Sequence, residues 1–406
     1  MRFDASQLSA IERATTKKLS IVTGGAGSGK TTIIREITNR LESRGETVAL
    51  CAFAGKAAAR IREACEHPAS TIHRLMGFDG TNYRVESLAN LTVIIDECSM
   101  ADSQLLAQLV QRNPRRLVLV GDPAQLAPVG RGSPFHDLIS LRPDLVATLT
   151  TCYRATEAVF IAASAIRSGA RPAQSATSDG EYWEMQNTGS PKQTQAQIIK
   201  WVTDAASWDF ERDIVLVARN GESDDDACTV RALNRAIVDV LSPRDWSDSK
   251  QRFRAGDRVM NLHNLPALDM WNGSTGTVHA VDIDGGVWVR TDIPAIDHSK
   301  TTDERNPVYT SHVLFGKDIK RHLQLAYAVT THKSQGSQYR NVVFAAFPRD
   351  LHGILDRSLL YTAVTRTKSA CVVCGELSAA YAAIDRVTRK RTVMQAIASG
   401  DELQQA

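Results

Sequence analysis

Residues 24–31 read GGAGSGKT and fit the pattern G-x-x-x-x-G-K-[ST]. Glycines at this spacing let backbone N–H groups turn inward around a phosphate, and a helix starting at the lysine adds partial positive charge. Lys30 would reach the outer phosphates of a nucleoside triphosphate, and the Thr31 hydroxyl would hold Mg²⁺. Gly25, Ala26, Gly27, Ser28, Gly29 and Thr32 complete this candidate cradle. Farther on, VIIDECSM (93–100) places Asp96 and Glu97 at the end of an apolar run. Two adjacent carboxylates there suit a metal-bound triphosphate, with Asp96 in the Mg²⁺ shell and Glu97 deprotonating the attacking water. Gln125, in LVGDPAQLAPVG (119–130), is an uncharged hydrogen-bonder on a proline-braced turn, suited to sensing a γ-phosphate.

These groups need strands and helices to hold them. LSIVT (19–23), TVALCAF (47–53), LTVIID (91–96) and RLVLVGD (116–122) read as short buried strands. After the first, Ile33, Ile34, Ile37 and Leu41 share one helical face. Strands alternating with helices predict a parallel sheet, and the alternation returns in DIVLVA (213–218), a helix near Val230–Leu241, NVVFAAF (341–347) and ACVVC (370–374). The segment 170–194, rich in Ser, Thr, Gly and Pro, reads as a crossover. Turn dipeptides between alternating runs over 253–311 predict a small antiparallel barrel, with Trp271 and Trp288 in its core. GFDGTNYRVESL (77–88) predicts a hairpin turning at Asp79-Gly80.

The chain has 406 residues, 48 Lys plus Arg against 45 Asp plus Glu, and a net charge of +3, so bulk attraction to polyanions is not indicated and a local basic groove is the remaining route. The first ten residues lack the apolar core of a signal peptide, and no apolar run approaches membrane-spanning length. Seven scattered cysteines argue for reduced thiols and a cytoplasmic setting. CVVC (371–374) has metal-ligand spacing without a second pair, and reads as strand core.

GGAGSGKTT, DECSM, GDPAQLAPVG, VTTHKSQGSQ (329–338) and LLYTAVTRTK (359–368), in this order, resemble the motifs of superfamily 1 helicases, most closely the RecD/Dda-like branch. GKAAARI (55–61), STIHRLMG (70–77), VFIAASAIRSG (159–169) and GDRVM (256–260) extend the resemblance over almost the whole chain. It implies an α/β fold of two RecA-like parallel-sheet P-loop domains, the first of residues 1–76 and 89–175, the second of 176–252 and 312–406. The hairpin at 77–88 is then the inserted wedge, and 253–311 resembles an SH3-like β-barrel.

The resemblance also implies ATP and Mg²⁺ as cofactors, Gln7 reading the adenine, and Arg154 and Arg366 on the γ-phosphate. Phe53, Gly55, Lys56, Thr71 and His73 would grip single-stranded DNA in the first domain, and Thr331, His332, Ser334 and Gln335 in the second. Tyr83 would face a base pair at a duplex junction. The apolar ends of LQLAYAVTTHKSQGSQYRNVVF (323–344) are expected in the second α/β core. Two departures stand out: Phe53-Ala54 replaces the family's Pro-Thr, and Ala155 replaces a Gln after Arg154. The expected activity is 5′-to-3′ translocation by a monomer that unwinds DNA, with single-stranded-DNA-binding or replication proteins as partners. Two alternatives remain: a strand-stimulated ATPase that remodels protein–nucleic acid or RNA complexes, and a nucleotide-dependent switch or loading subunit.

Overall fold

The computed structural model describes residues 3–151, 153, 158–177, 180–204, 206–221, 226–247, 252–297, 299–300, 308–318 and 320–388. The chain divides into two compact units, Met1–Pro172 with Arg386–Thr388 among the described residues, and Ala173–Asp385. The end of the expected second domain, 389–406, lies outside the described residues.

In the first unit the β-branched runs form strands β1 (Leu19–Gly24), β2 (Thr47–Ala52), β3 (Ala69–Thr71), β4 (Leu91–Asp96), β5 (Arg116–Gly121) and β6 (Val146–Leu149). They build one sheet in the order β3-β2-β4-β5-β1-β6, with every pair parallel. Helices α1 (Ala5–Thr16), α2 (Lys30–Glu42), α3 (Gly55–Cys65), α4 (Ile72–Leu75), α5 (Ser103–Gln111), α6 (Pro134–Leu141) and α7 (Ala158–Ser168) accompany it. Successive strand residues point to opposite faces. Val22 of β1 accordingly packs with Ile33, Ile34, Ile37 and Leu41 of α2, while its neighbour Ile21 packs with Leu105, Leu106 and Leu109 of α5. Because all the strands run one way, the residues after β1, β2, β3, β4 and β5 emerge along one edge.

The second unit contains β7 (Ser175–Ala176), β8 (Tyr182–Asn187), α8 (Pro191–Val202), β9 (Ile214–Val217), α9 (Val230–Leu241), β10 (Arg258–Asn261), β11 (Thr275–Val281), β12 (Val287–Ile296), β13 (Tyr309–Phe315) and β14 (Leu323–Leu325). β15 (Ala328–Thr330), β16 (Tyr339–Ala346), α10 (Arg357–Val364), β17 (Thr367–Gly375) and α11 (Leu377–Asp385) follow. One sheet has the order β15-β9-β16-β17-β8-β7 and is parallel except for β7. The other is antiparallel, in the order β13-β12-β11-β10-β14, with its own core of Val259, Val278, Val289, Phe315 and Leu323 among others.

Several expectations change here. The segment 170–194 is more than a crossover: it holds β8, whose Trp183 is fully buried against β17. Only its alternate residues Trp183 and Met185 are buried, and the polar residues between them hid the strand. The antiparallel region runs past Ser311 to Leu325, and Leu323–Leu325 pairs within it, with Leu325 also packing against the α/β core. Three residues of this composition fit either sheet, and only pairing with β10 decides between them. Trp271 and Trp288 are half-buried rather than core, their indole N–H groups donating to Asp269 and Asp282. Cys371 and Cys374 lie inside β17, where burial pushes the Cys371 thiol up to about 12.

Strand β15 ends its sheet, and an edge strand leaves backbone groups to be satisfied. Asn234 of α9 does this with its carboxamide. Its Oδ1 accepts from Tyr327 N at 2.8 Å and Ala328 N at 3.0 Å, while its Nδ2 donates to Ala328 O at 2.8 Å. Replacing it by leucine leaves these buried groups unpaired and is expected to cost on the order of 3 kcal/mol, read as a lowered urea midpoint.

Candidate functional site

The loop between β1 and α2 is shaped by its glycines. Gly27 and Gly29 have φ of 73° and 82°, and a Cβ at Gly24 would strike the Ser28 hydroxyl. At Gly29 a Cβ would meet Gln7 Nε2 at 2.9 Å, so glycine is required on both counts. Ser28 Oγ donates to Gly25 O at 2.9 Å, closing the loop. Lys30 Nζ donates to Gly24 O at 2.8 Å and Gly25 O at 2.9 Å, which holds the ammonium over the loop. Ala26, Thr31 and Thr32 lie in the same turn and first helical turn, where the amides of a helix N-terminus favour an anion.

Asp96 ends β4, two strands from β1. Burial pushes its carboxyl pKa up, Glu97 adds to the rise, and the Lys30 charge opposes it. The lysine and the carboxylate therefore act on each other. Glu97 takes φ 51°, a left-handed backbone rare for a residue with a side chain. Its Oε2 is buried without a hydrogen-bond partner among the described residues. Gln125 is 5 % exposed. It sits in a turn braced by buried Asp122, which accepts from Ala124 N at 3.0 Å and pairs with Arg167 at 3.6 Å.

Gln7 is placed by α1. Asp4 caps the helix, accepting from Gln7 N at 2.9 Å, while Gln7 Oε1 accepts from Asp4 N at 3.2 Å. Tyr153 joins this box to the phosphate loop. Its N–H donates to Gly27 O at 3.1 Å, and its hydroxyl lies 2.7 Å from Asp4 Oδ2 and 2.8 Å from Gln7 Oε1. Neither Asp4 nor Tyr153 stood out in the sequence reading. The spacing D-x-x-Q ahead of a helix was the available signal for Asp4. Arg154 lies outside the described residues.

The candidate strand contacts of the first unit gather where β2 and β3 pair, Ala52 standing opposite Thr71. Phe53 and His73 approach to 6.3 Å between ring centroids. Gly55 and Lys56 begin α3, and Lys56 is 8 % exposed. Thr71 also has a structural task, its hydroxyl capping α4 by accepting from Arg74 N at 3.2 Å. The hairpin at 77–88 is reduced to one bridge, Phe78 to Tyr83. Tyr83 is half-buried: Phe78 packs on it at 4.8 Å, His73 stacks at 6.3 Å and Arg112 lies over it at 5.0 Å. Its ring gains more by joining this cluster than by standing in water, which leaves a polar tip of Asp79–Asn82.

In the second unit the chain leaves β15 through Thr331, His332, Ser334 and Gln335 and doubles back to β16. Ser334 Oγ donates to Thr331 O at 2.7 Å. The Thr331 hydroxyl and Gln335 Nε2 are buried without partners among the described residues. Burial lowers the His332 pKa, against the opposing charge of Asp356. Arg366 stands where β17 begins, 3 % exposed. Its guanidinium donates to Thr362 O at 3.2 Å, Thr365 Oγ1 at 3.3 Å and Ser337 O at 3.4 Å, against the end of α10.

A glycine-shaped phosphate loop and paired carboxylates along one edge of a parallel sheet define a P-loop nucleoside triphosphatase. Residues 2–184 match the model of an AAA domain, and residues 325–374 that of a UvrD-like helicase C-terminal domain. Over 95% of its length the chain is 30% identical to the RecBCD enzyme subunit RecD of Mycolicibacterium smegmatis, covering 73% of that protein. It is 28% identical over 92% of its length to the ATP-dependent RecD2 DNA helicase of Deinococcus radiodurans, and spans only 49% of that protein. The chain belongs to the RecD-like family of superfamily 1, a family of ATP-dependent DNA helicases. Its fold resembles a Pif1 helicase from Bacteroides solved with ADP-AlF3 and ssDNA, with a TM-score of 0.55 over 92% of each chain at 20% identity. No helix among the described residues is long and apolar enough to cross a membrane.

Proposed function

We propose that this chain hydrolyses ATP to move 5′ to 3′ along single-stranded DNA and separate duplexes ahead of it. The observation that carries this reading is Lys30, tied to the loop carbonyls while its charge acts on Asp96. The residues present fit a magnesium nucleotide: a loop whose Gly24, Gly27 and Gly29 positions disfavour a side chain, a helix start, and a carboxylate pair with one oxygen unpartnered among the described residues. Bound ATP with Mg²⁺ would supply the reactive γ-phosphoryl group. Gly25–Thr32 and Lys30 hold the phosphates, and Thr31 and Asp96 the metal. Glu97 takes the proton of the attacking water, Gln125 senses the γ-phosphate, and Arg154 and Arg366 supply positive charge. Gln7 reads the base.

Along the strand, Phe53, Gly55, Lys56, Thr71 and His73 of one unit, and Thr331, His332, Ser334 and Gln335 of the other, take turns in holding sugar and phosphate. The Thr331 hydroxyl and Gln335 Nε2, buried without partners among the described residues, support this reading, since such groups in native proteins call for a partner. The antiparallel sheet would act as an SH3-like domain beside the strand. The protein would work as a cytoplasmic monomer, alongside single-stranded-DNA-binding or replication proteins. One observation favours a second reading, a strand-stimulated ATPase that remodels complexes without separating strands: Tyr83 is half-buried against Phe78 and Arg112, and the hairpin tip is polar.

Single-turnover unwinding of duplexes bearing a 5′ or a 3′ single-stranded tail tests both. Strand separation only from the 5′ tail supports the first reading. Strand-stimulated hydrolysis without separation from either tail supports the second. In Lys30→Ala, hydrolysis is expected to fall about a hundredfold or more with strand binding retained. Unchanged hydrolysis would remove the loop from the chemistry.

A further inference from the structure

The geometry points to Phe78 as a stacking face for one nucleobase of the bound strand, with Tyr83 as the support beneath it. This rests on the strand-binding reading above. A single exposed apolar residue is ordinary at a protein surface and by itself implies nothing. Phe78 differs in its company. Its ring centroid lies 5.5 Å from that of His73 and 4.8 Å from that of Tyr83, and His73 in turn lies 6.3 Å from Phe53. Of these four rings three are half-buried, and Phe78 is 40 % exposed. Phe53 and His73 follow the paired ends of β2 and β3, among the candidate strand contacts. The row of rings therefore continues the proposed track onto the hairpin.

The backbone fixes this ring in place. Phe78 N donates to His73 O at 2.9 Å, and Phe78 bridges to Tyr83 across the turn. On either side of it, Arg84 N donates to Gly77 O at 3.2 Å and Asp79 N to Asn82 O at 3.1 Å. The Asp79 carboxylate accepts from Thr81 N at 3.0 Å and Asn82 N at 2.9 Å, which closes the tip. Arg112 lies over the Tyr83 ring at 5.0 Å while its Nε donates to Val85 O at 2.7 Å. Tyr83 is thus taken up by Arg112, His73 and Phe78, and Phe78 keeps the open surface. A ring held this way gives up little freedom when a base settles on it, so more of the stacking energy appears as affinity.

Every base has a π-face, and a phenyl ring carries no group that could read a base edge. The contact is therefore tolerant of sequence. It also involves no charge, unlike phosphate contacts, whose strength falls as salt rises.

The test is equilibrium binding of the intact chain to a labelled single strand of DNA, and to the same strand with one abasic site moved position by position. In the parent, one abasic position should weaken binding roughly five- to a hundredfold, the range for one lost stack. Phe78→Ala should weaken the complete strand by a similar factor and show no further loss at that position. Phe78→Trp should restore both the affinity and the abasic penalty. The slope of log affinity against log salt should match between parent and Phe78→Ala, since no charge is removed. Had the alanine merely loosened the hairpin, the abasic penalty would persist in that variant, and this result overturns the proposal. So would a Phe78→Ala protein that binds the complete strand as the parent does. A parent that binds no single strand sinks the strand-binding reading, and this proposal with it.

Discussion

Glu97→Gln is expected to lower strand-stimulated ATP hydrolysis by about 10²–10⁴-fold, the range for losing a positioned general base. Nucleotide affinity should be kept. The substitution preserves volume and hydrogen-bonding reach, so it removes little besides the capacity to take a proton. Glu97 is held in a left-handed backbone conformation at the end of β4. Such a conformation persists where the surrounding structure imposes it, and it clusters at functional positions. Its N–H donates to Asp96 Oδ1 at 2.8 Å, which ties the two carboxylates together while Glu97 Oε2 stays buried and free among the described residues. Steady-state hydrolysis with saturating single-stranded DNA, and equilibrium binding of ATP, give the two readouts. A turnover close to that of the parent would remove Glu97 as the base.

The second large effect is on stability. Arg244 and Asp257 form a two-pronged ion pair at 2.6 and 2.8 Å, with side-chain exposures of 0% and 2%. Asp257 also accepts from Arg254 N at 2.7 Å and from the Tyr327 hydroxyl at 3.1 Å. Arg244 follows α9, Asp257 precedes β10, and Tyr327 lies between β14 and β15. One carboxylate thus ties together the chain entering and leaving the antiparallel sheet. Asp257→Ala leaves a buried guanidinium without its partner and is expected to cost about 3–5 kcal/mol. Urea unfolding should show the loss as a lowered midpoint, and amide exchange over 258–325 should quicken. A midpoint matching the parent's would show that water reaches Arg244 in place of the carboxylate.

Much of the nucleotide site was legible because its determinants are local. A strand, a glycine-rich turn and a helix start occupy consecutive residues, so GGAGSGKT carries its own geometry, and the structure places Lys30 at the first position of α2. The helix near Val230–Leu241 was legible, since its apolar face repeats within the segment itself. Tyr153 was not legible. Its hydroxyl meets Gln7, a residue 146 positions away along the chain, and no local pattern announces such a contact.

The sequence by itself determined the alternating strands and helices, the phosphate loop and the carboxylate pair, because period and turn chemistry act over a few residues. Tertiary structure alone decided that Leu323–Leu325 pairs with β10 while Ala328–Thr330, two residues on, pairs with β9. It alone packed Tyr83 against Phe78 and placed β8 inside a polar segment. In each case the deciding energy is pairing or burial against residues distant in the chain, and apolar character shows that a residue will be buried without naming its partner.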